Sequence, residues 1–158
     1  GIAQAIAGNP RLIIVDEPTA GLDPEERLRF YRLLSELAQE RIVLLSTHIV
    51  EDVEVLCPQF AVIRAGRLVA RTTPAEARAR LAGVVYQGSV PPEAFQSFAR
   101  QHRVIRSFLV EGHNLVRVLA PHGDPPQGFA AVEPTMEDAY LALMPTADSS
   151  NLPEQGVA

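Results

Sequence analysis

Two adjacent carboxylates and one histidine are the residues of this chain whose types and spacing could do chemistry. Asp16 and Glu17 directly follow the apolar run Leu12–Val15, which predicts a strand buried on both faces of a parallel sheet. Ligands of open α/β sheets bind at the carboxyl ends of strands, so the carboxylate pair indicates a site. Because successive strand side chains point in opposite directions, one carboxylate can hold Mg²⁺ through water while the other orients an attacking water.

The histidine, His48, ends a second apolar segment, Ile42–Leu45, and lies 31 residues after Glu17. An amphipathic helix is predicted from Pro24 to about Glu40, whose apolar, inward face contains Leu28, Tyr31, Leu34 and either Leu37 or Ala38. The order strand, helix, strand predicts neighbouring parallel strands joined by a right-handed crossover. The spacing therefore suits one helix plus one strand, although a single histidine can also serve structurally by donating to a backbone carbonyl.

The segment between the carboxylates and the predicted helix has the residues of a turn. Pro18 removes a ladder donor and ends the strand. Gly21 permits a backbone turn that other residues resist. Asp23 is predicted to cap the helix, with Pro24 at its first position and Glu26 closing a capping box.

Taken together, Leu12–Pro24 resembles the Walker B strand and D-loop of an ATP-binding cassette (ABC) ATPase, and His48 resembles that family's switch histidine. The resemblance implies that Asp16 holds Mg²⁺ through water and that Glu17 is the general base. It implies that His48 contacts the γ-phosphate of ATP. It also assigns four residues to a loop that faces a second ATPase subunit: Ala20, Gly21, Leu22 and Asp23.

The resemblance covers residues 1–83 and implies an α/β fold, a partial P-loop NTPase (RecA-like) core with parallel strands and crossover helices. Its last part contains a predicted hairpin around Ala65-Gly66. Residues 84–144 are predicted to form a small α/β accessory domain, and residues 145–158 a disordered tail. The final helix, capped by Thr135, is similar to the tail of ATPase subunits of two-component, drug-type exporters.

A phosphate-binding loop is not assigned in this chain. All 14 basic residues are Arg, whereas such a loop needs a Gly-rich turn followed by Lys. The Leu-Ser-Gly-Gly-type signature loop of the family is not found either. Because both lie upstream of Walker B in the family, we expect the chain to be the C-terminal part of a longer subunit. A degenerate stand-alone protein is the alternative.

Composition narrows the class of protein further. With 47% hydrophobic and 21% charged residues the chain is globular, and no apolar run approaches the length of a membrane span. A net charge of −5 argues against a nucleic-acid surface. The single cysteine, Cys57, excludes an internal disulfide and fits a reducing compartment.

The sequence thus predicts the C-terminal segment of the ATP-hydrolysing subunit of an ABC transporter, an exporter. The intact subunit would use ATP and Mg²⁺, pair with a second ATPase subunit as a homodimer, and act on a membrane-spanning permease. It would be cytoplasmic and peripheral at the inner face of the membrane. Two alternatives stay open: a catalytically inactive docking or regulatory module, and an ABC ATPase outside transport. Whether the fragment itself is an enzyme is left open.

Overall fold

The computed structural model describes Ile6 and residues 8–144. The tail predicted over residues 145–158 lies outside the described residues. The described part of the chain is mixed α/β and falls into two compact units that divide between Pro74 and Ala75. This division lies nine residues before Gly83, where the sequence analysis places the domain boundary.

The first unit contains one parallel and one antiparallel strand pair. Its elements in chain order are β1 (Leu12–Asp16), α1 (Pro24–Leu37), β2 (Ile42–Ser46), α2 (Val50–Leu56), β3 (Phe60–Arg64) and β4 (Arg67–Thr72). A short helix, α3 (Pro74–Ala79), begins at the division. Strands β1 and β2 are parallel, with Leu12 opposite Ile42 and Asp16 opposite Ser46. The predicted strand–helix–strand order with neighbouring parallel strands is confirmed.

Only one face of β1 is buried among the described residues. Ile13 is 3% exposed and Val15 is also buried, whereas Ile14 is 65% exposed and Leu12 is exposed. The expectation that both faces are covered is therefore wrong for this part of the chain. A crossover helix lies on one face of the sheet that it connects, so the opposite face needs a second layer.

The N-cap of α1 forms at the predicted residue, Asp23, although only the Asp23 half of the predicted capping box is observed. Asp23 Oδ1 accepts a hydrogen bond of 2.8 Å from the backbone N–H of Glu26, and Pro24 lies in the first turn. The buried face consists of Phe30, Tyr31 and Leu34. Leu28, which was predicted to face inward, is exposed, and the helix ends at Leu37 instead of about Glu40.

The hairpin of β3 and β4 confirms the predicted turn. Ala65 and Gly66 are the two connecting residues, with φ of 47° and 73°. Two positive φ angles in a two-residue connection are typical of a type I′ turn, whose twist matches that of the strands.

The second unit is built on one antiparallel sheet. Its elements are β5 (Val85–Val90), α4 (Pro92–Gln101), β6 (Arg103–Val110), β7 (His113–Leu119), β8 (Ala130–Ala131) and α5 (Met136–Leu143). The strand order is β6-β7-β5-β8. Since β7 is antiparallel to both β5 and β6, it lies between two strands that run in the same direction and are joined by α4. This is a split β-α-β unit.

The core of the second unit lies where α4 packs on the sheet. Val90, Val116 and Val118 form a buried cluster, against which Phe98 and Phe129 pack. The two phenylalanine rings are stacked, with centroids 5.3 Å apart. Gly88 of β5 lies against this stack, and a Cβ atom there would be 2.5 Å from Phe129 Cδ2.

The last helix, α5, begins with a capping box. The Thr135 hydroxyl accepts from the Asp138 N–H, and the Asp138 carboxylate accepts from the Thr135 N–H. The same carboxylate, which is buried, pairs with the Arg117 guanidinium. The predicted cap is confirmed, and the ion pair ties α5 to β7. Within the described part of the chain, no helix has the length and apolar character needed to cross a membrane.

Candidate active site at the ends of the parallel strands

The carboxyl ends of β1 and β2 bring together the residues that the sequence singled out. Asp16 and Ser46 are partners in the strand register, and the Ser46 hydroxyl donates a hydrogen bond to Asp16 Oδ1. The backbone N–H of Glu17 donates to the carbonyl of Ser46 at 2.8 Å. The two strands therefore stay hydrogen-bonded up to Asp16 and Glu17, the two candidate site residues of β1 and the loop after it.

Glu17 and His48 are in direct contact. His48 Nδ1 lies 2.7 Å from Glu17 Oε2, a hydrogen bond that becomes an ion pair when the imidazole is protonated. The side chains are 37% exposed for Glu17 and 75% exposed for His48. Both groups are thus open to a ligand, and the imidazole can orient the carboxylate.

The backbone of Glu17 adopts an uncommon conformation. Its φ is 44°, in the left-handed region that few residues other than glycine adopt. Such conformations persist where the surrounding structure holds them and cluster at functional sites. Here the N–H bond to Ser46 and an N–H bond of 3.2 Å from Ala20 to the Glu17 carbonyl hold the residue on both sides.

The loop after Glu17 returns the chain to α1. The Leu22 N–H donates to the Thr19 carbonyl at 3.2 Å, Gly21 has a φ of 80°, and Asp23 caps the helix. Ala20, Gly21 and Asp23 are exposed, and Leu22 is half-buried. The loop is thus held by hydrogen bonds within it, and most of its residues are exposed to solvent.

A buried polar cluster that was not predicted from the sequence lies below the site. Acids in a short helix usually lie on a solvated face, but Asp52 of α2 is 0% exposed. Its carboxylate accepts hydrogen bonds from the hydroxyls of Thr19 (2.5 Å), Thr47 (3.0 Å) and Tyr31 (2.6 Å). The signal was present in the spacing, since Asp52 shares a helix face with the apolar residues Val53 and Leu56.

Burial of this cluster changes the acidity of two neighbours. Burial, together with the hydrogen bond to Asp52 and its charge, raises the pKa of Tyr31 well above its usual value. Tyr31 thus remains a hydrogen-bond donor. Burial, and to a lesser extent Asp52, raises the pKa of the Cys57 thiol, so this cysteine is poorly suited to act as a thiolate.

A magnesium ion that keeps most of its waters needs few protein ligands. Across the described residues, no group of three His, Cys, Asp or Glu side chains could enclose a metal ion. Mg²⁺ is commonly held through one or two carboxylates, waters and substrate phosphates, without an all-protein cage. Asp16 is exposed at the strand end and fits that mode of binding.

About half of the chain is similar to bacterial proteins that are named as export ATP-binding proteins. The chain is 47% identical over 74 residues to the Nod factor export ATP-binding protein I of Rhizobium johnstonii. The matched segment covers 46% of this chain and 24% of that protein. The protein of the same name from Rhizobium meliloti is 47% identical over 74 residues, 46% of this chain and 22% of its own. That from Cupriavidus metallidurans is 46% identical over 76 residues, 48% of this chain and 25% of its own.

The chain spans about a quarter of the length of the curated relatives that it matches. No protein-family model matches it.

Proposed function

We propose that this chain supplies part of the ATP-hydrolysing site of an ABC exporter subunit, within a partial P-loop NTPase (RecA-like) core over residues 1–83. The observation that carries the proposal is the 2.7 Å contact between Glu17 and His48 at the ends of neighbouring parallel strands. By intact subunit we mean a protein that contains this chain together with a phosphate-binding loop.

In the intact subunit Glu17 acts as the general base. Its carboxylate takes the proton of the water that attacks the γ-phosphate of ATP. His48 holds that carboxylate through Nδ1, and its ring is the group that meets the γ-phosphate. Both side chains are accessible, as a site that must admit ATP and water requires.

Asp16 would hold a magnesium ion through a coordinated water in the intact subunit. The Ser46 hydroxyl orients the carboxylate by donating to Oδ1. Bound Mg²⁺ would neutralise charge on the phosphate oxygens. Asp16 and Glu17 are thus adjacent carboxylates with separate duties, one for the cation and one for the water.

The loop of Ala20, Gly21, Leu22 and Asp23 is proposed to face a second ATPase subunit in a homodimer. Its order and exposure support this role, because a preformed exposed loop loses little conformational freedom on association. The matched relatives are named as ATP-binding proteins of Nod factor export. By analogy we propose an export role, with a membrane-spanning permease as partner and a peripheral, cytoplasmic location at the membrane.

Residues 84–144 are proposed as an accessory domain that tunes the ATPase without taking part in its chemistry. The antiparallel sheet and the helices of residues 85–143 have their own hydrophobic core, which supports this proposal. Deleting residues 84–144 from the intact subunit should leave ATP binding in place. Loss of ATP binding while the remaining core stays folded would contradict the assignment.

The test of the proposed function is Glu17→Gln in the intact subunit. The change keeps the size of the side chain and removes the base, so turnover should fall on the order of 100- to 10,000-fold while ATP binding persists. ATP hydrolysis and nucleotide affinity are measured at one magnesium concentration. Hydrolysis at the wild-type rate would overturn the proposal.

A further inference from the structure

The carboxylate of Asp52 is a buried charge whose three side-chain donors are all hydroxyl groups. Asp52 lies in α2 and is 0% exposed, and Thr19 is also 0% exposed. Thr19 and Thr47 both donate to Oδ2, and Tyr31 donates to Oδ1. A carboxylate is costly to bury unless it is hydrogen-bonded, so the fold is expected to keep such a group only with its donors in place.

The two threonines belong to the two loops that carry the candidate catalytic residues. Thr19 follows Glu17 by two positions, and Thr47 directly precedes His48. A single oxygen, Asp52 Oδ2, thus receives one hydroxyl from each loop, at 2.5 and 3.0 Å. The loops are joined beneath the site through this one atom, in addition to the pairing of β1 with β2.

The Thr47 hydroxyl has a choice of acceptors. Its oxygen lies 3.0 Å from Asp52 Oδ2 and 3.5 Å from Glu17 Oε2. A hydroxyl has one proton to donate, and the shorter bond to Asp52 uses it. Glu17 Oε2 is then left to His48 Nδ1 at 2.7 Å. The same threonine oxygen accepts from the Ile49 N–H at 3.0 Å, which holds the backbone on both sides of His48.

We propose that Asp52 is a positioning residue: by holding Thr19 and Thr47 on one oxygen, it fixes the Glu17 carboxylate against the His48 imidazole. Asp52 touches neither group itself and acts through the threonines. This inference rests on the proposed function, in which Glu17 is the general base.

The threonines give a cleaner test than Asp52 itself, because Asp52 has three bonds and its replacement can unfold the unit. In the intact subunit, Thr47→Val removes the hydroxyl and keeps the shape of the side chain. It should lower kcat on the order of 10- to 100-fold, the scale of effect that small misplacements of reacting groups produce, with little change in KM for ATP. Thr19→Val should act in the same direction. Thr47→Ser restores the hydroxyl and should restore most of kcat.

Two controls separate positioning from general loss of stability. Val62→Ala truncates a buried side chain of β3, a strand that carries neither loop, and should leave kcat within about twofold at a temperature where the protein stays folded. In a Glu17→Gln background, Thr47→Val should cause no further loss of kcat, because the effects of mutations at residues that act through one another are not additive.

The outcomes are distinct for the two proposals. A kcat for Val62→Ala as low as that of Thr47→Val, or an equal further loss in the Glu17→Gln background, would overturn the role of Asp52 alone. So would wild-type kcat in both threonine variants when Glu17→Gln is inactive. If Glu17→Gln is fully active, the proposed function fails, and the positioning role fails with it.

Discussion

His48 Nδ1 lies 2.7 Å from Glu17 Oε2, although 31 positions separate the two residues in the sequence. The contact exists because β1 and β2 are parallel neighbours in register, so the chain leaves the sheet at the same edge after each strand. Each residue lies in a loop that is tied to Asp52 by a threonine hydroxyl.

Asp16→Asn should weaken the magnesium dependence of ATP binding in the intact subunit. The amide keeps the shape of the side chain and loses the charge that attracts the hydrated cation. ATP affinity is measured across a magnesium titration, with Glu17→Gln as the matched control that keeps its magnesium dependence. An unchanged titration curve for Asp16→Asn would remove Asp16 from the cation site.

His48→Ala should reduce ATP turnover more than ATP affinity. The imidazole orients the Glu17 carboxylate, and misplacing a reacting group costs on the order of 10- to 100-fold in rate. His113→Ala, at an exposed position of β7, serves as the control and should change neither quantity. Equal losses of affinity and turnover for His48→Ala would instead indicate that the residue only binds nucleotide.

The 158-residue chain by itself should not hydrolyse ATP. It contains no Lys, and a phosphate-binding loop needs Lys to hold the β- and γ-phosphates. Phosphate release from purified chain is measured with and without Mg²⁺. Magnesium-dependent turnover that Glu17→Gln abolishes would show that the phosphates are held in another way.

The isolated chain should bind dyes that report exposed apolar surface. Leu12, Ile14, Ile42 and Leu44 are exposed large apolar residues of the parallel pair, and an open cavity of about 870 Å³ borders β2. Ile14→Gln should lower dye fluorescence, because it divides this surface. Val55→Gln, which changes an exposed valine of α2, should have a smaller effect. A chain that binds no dye and stays monomeric would contradict an uncovered face.

Gly88→Ala should destabilise the second unit by about 1–3 kcal/mol, the usual cost of overpacking. The added Cβ would lie 2.5 Å from the Phe129 ring. Ser89→Ala, an exposed position of the same strand, should change the free energy of unfolding by less than about 0.5 kcal/mol. Urea denaturation measures both, and Phe129→Leu should recover part of the loss in the Gly88→Ala protein. Equal stability of the two single variants would show that the ring yields without cost.

The sequence by itself determined the helix caps and the hairpin turn, because each depends on residues that are close together in the chain. The cap at Asp23, the two-residue turn at Ala65-Gly66 and the capping box at Thr135 each depend on residues within a few positions of one another. The strand order around α1 also followed, because a strand, a helix and a strand leave few ways to connect. These features place Asp16, Glu17 and His48 at one sheet edge without reference to coordinates.

Only the tertiary structure decided which polar groups are buried and which apolar residues are not. Asp52 is 0% exposed and its neighbour Glu51 is exposed. The helical spacing places Asp52 beside apolar residues, but it does not identify the hydroxyl groups that stabilise the buried carboxylate, which come from positions 19, 31 and 47. The apolar run of β1 looks uniformly buried in the sequence, yet its faces differ, because burial depends on the layers that pack against a strand. Such outcomes depend on long-range packing, which local patterns do not encode.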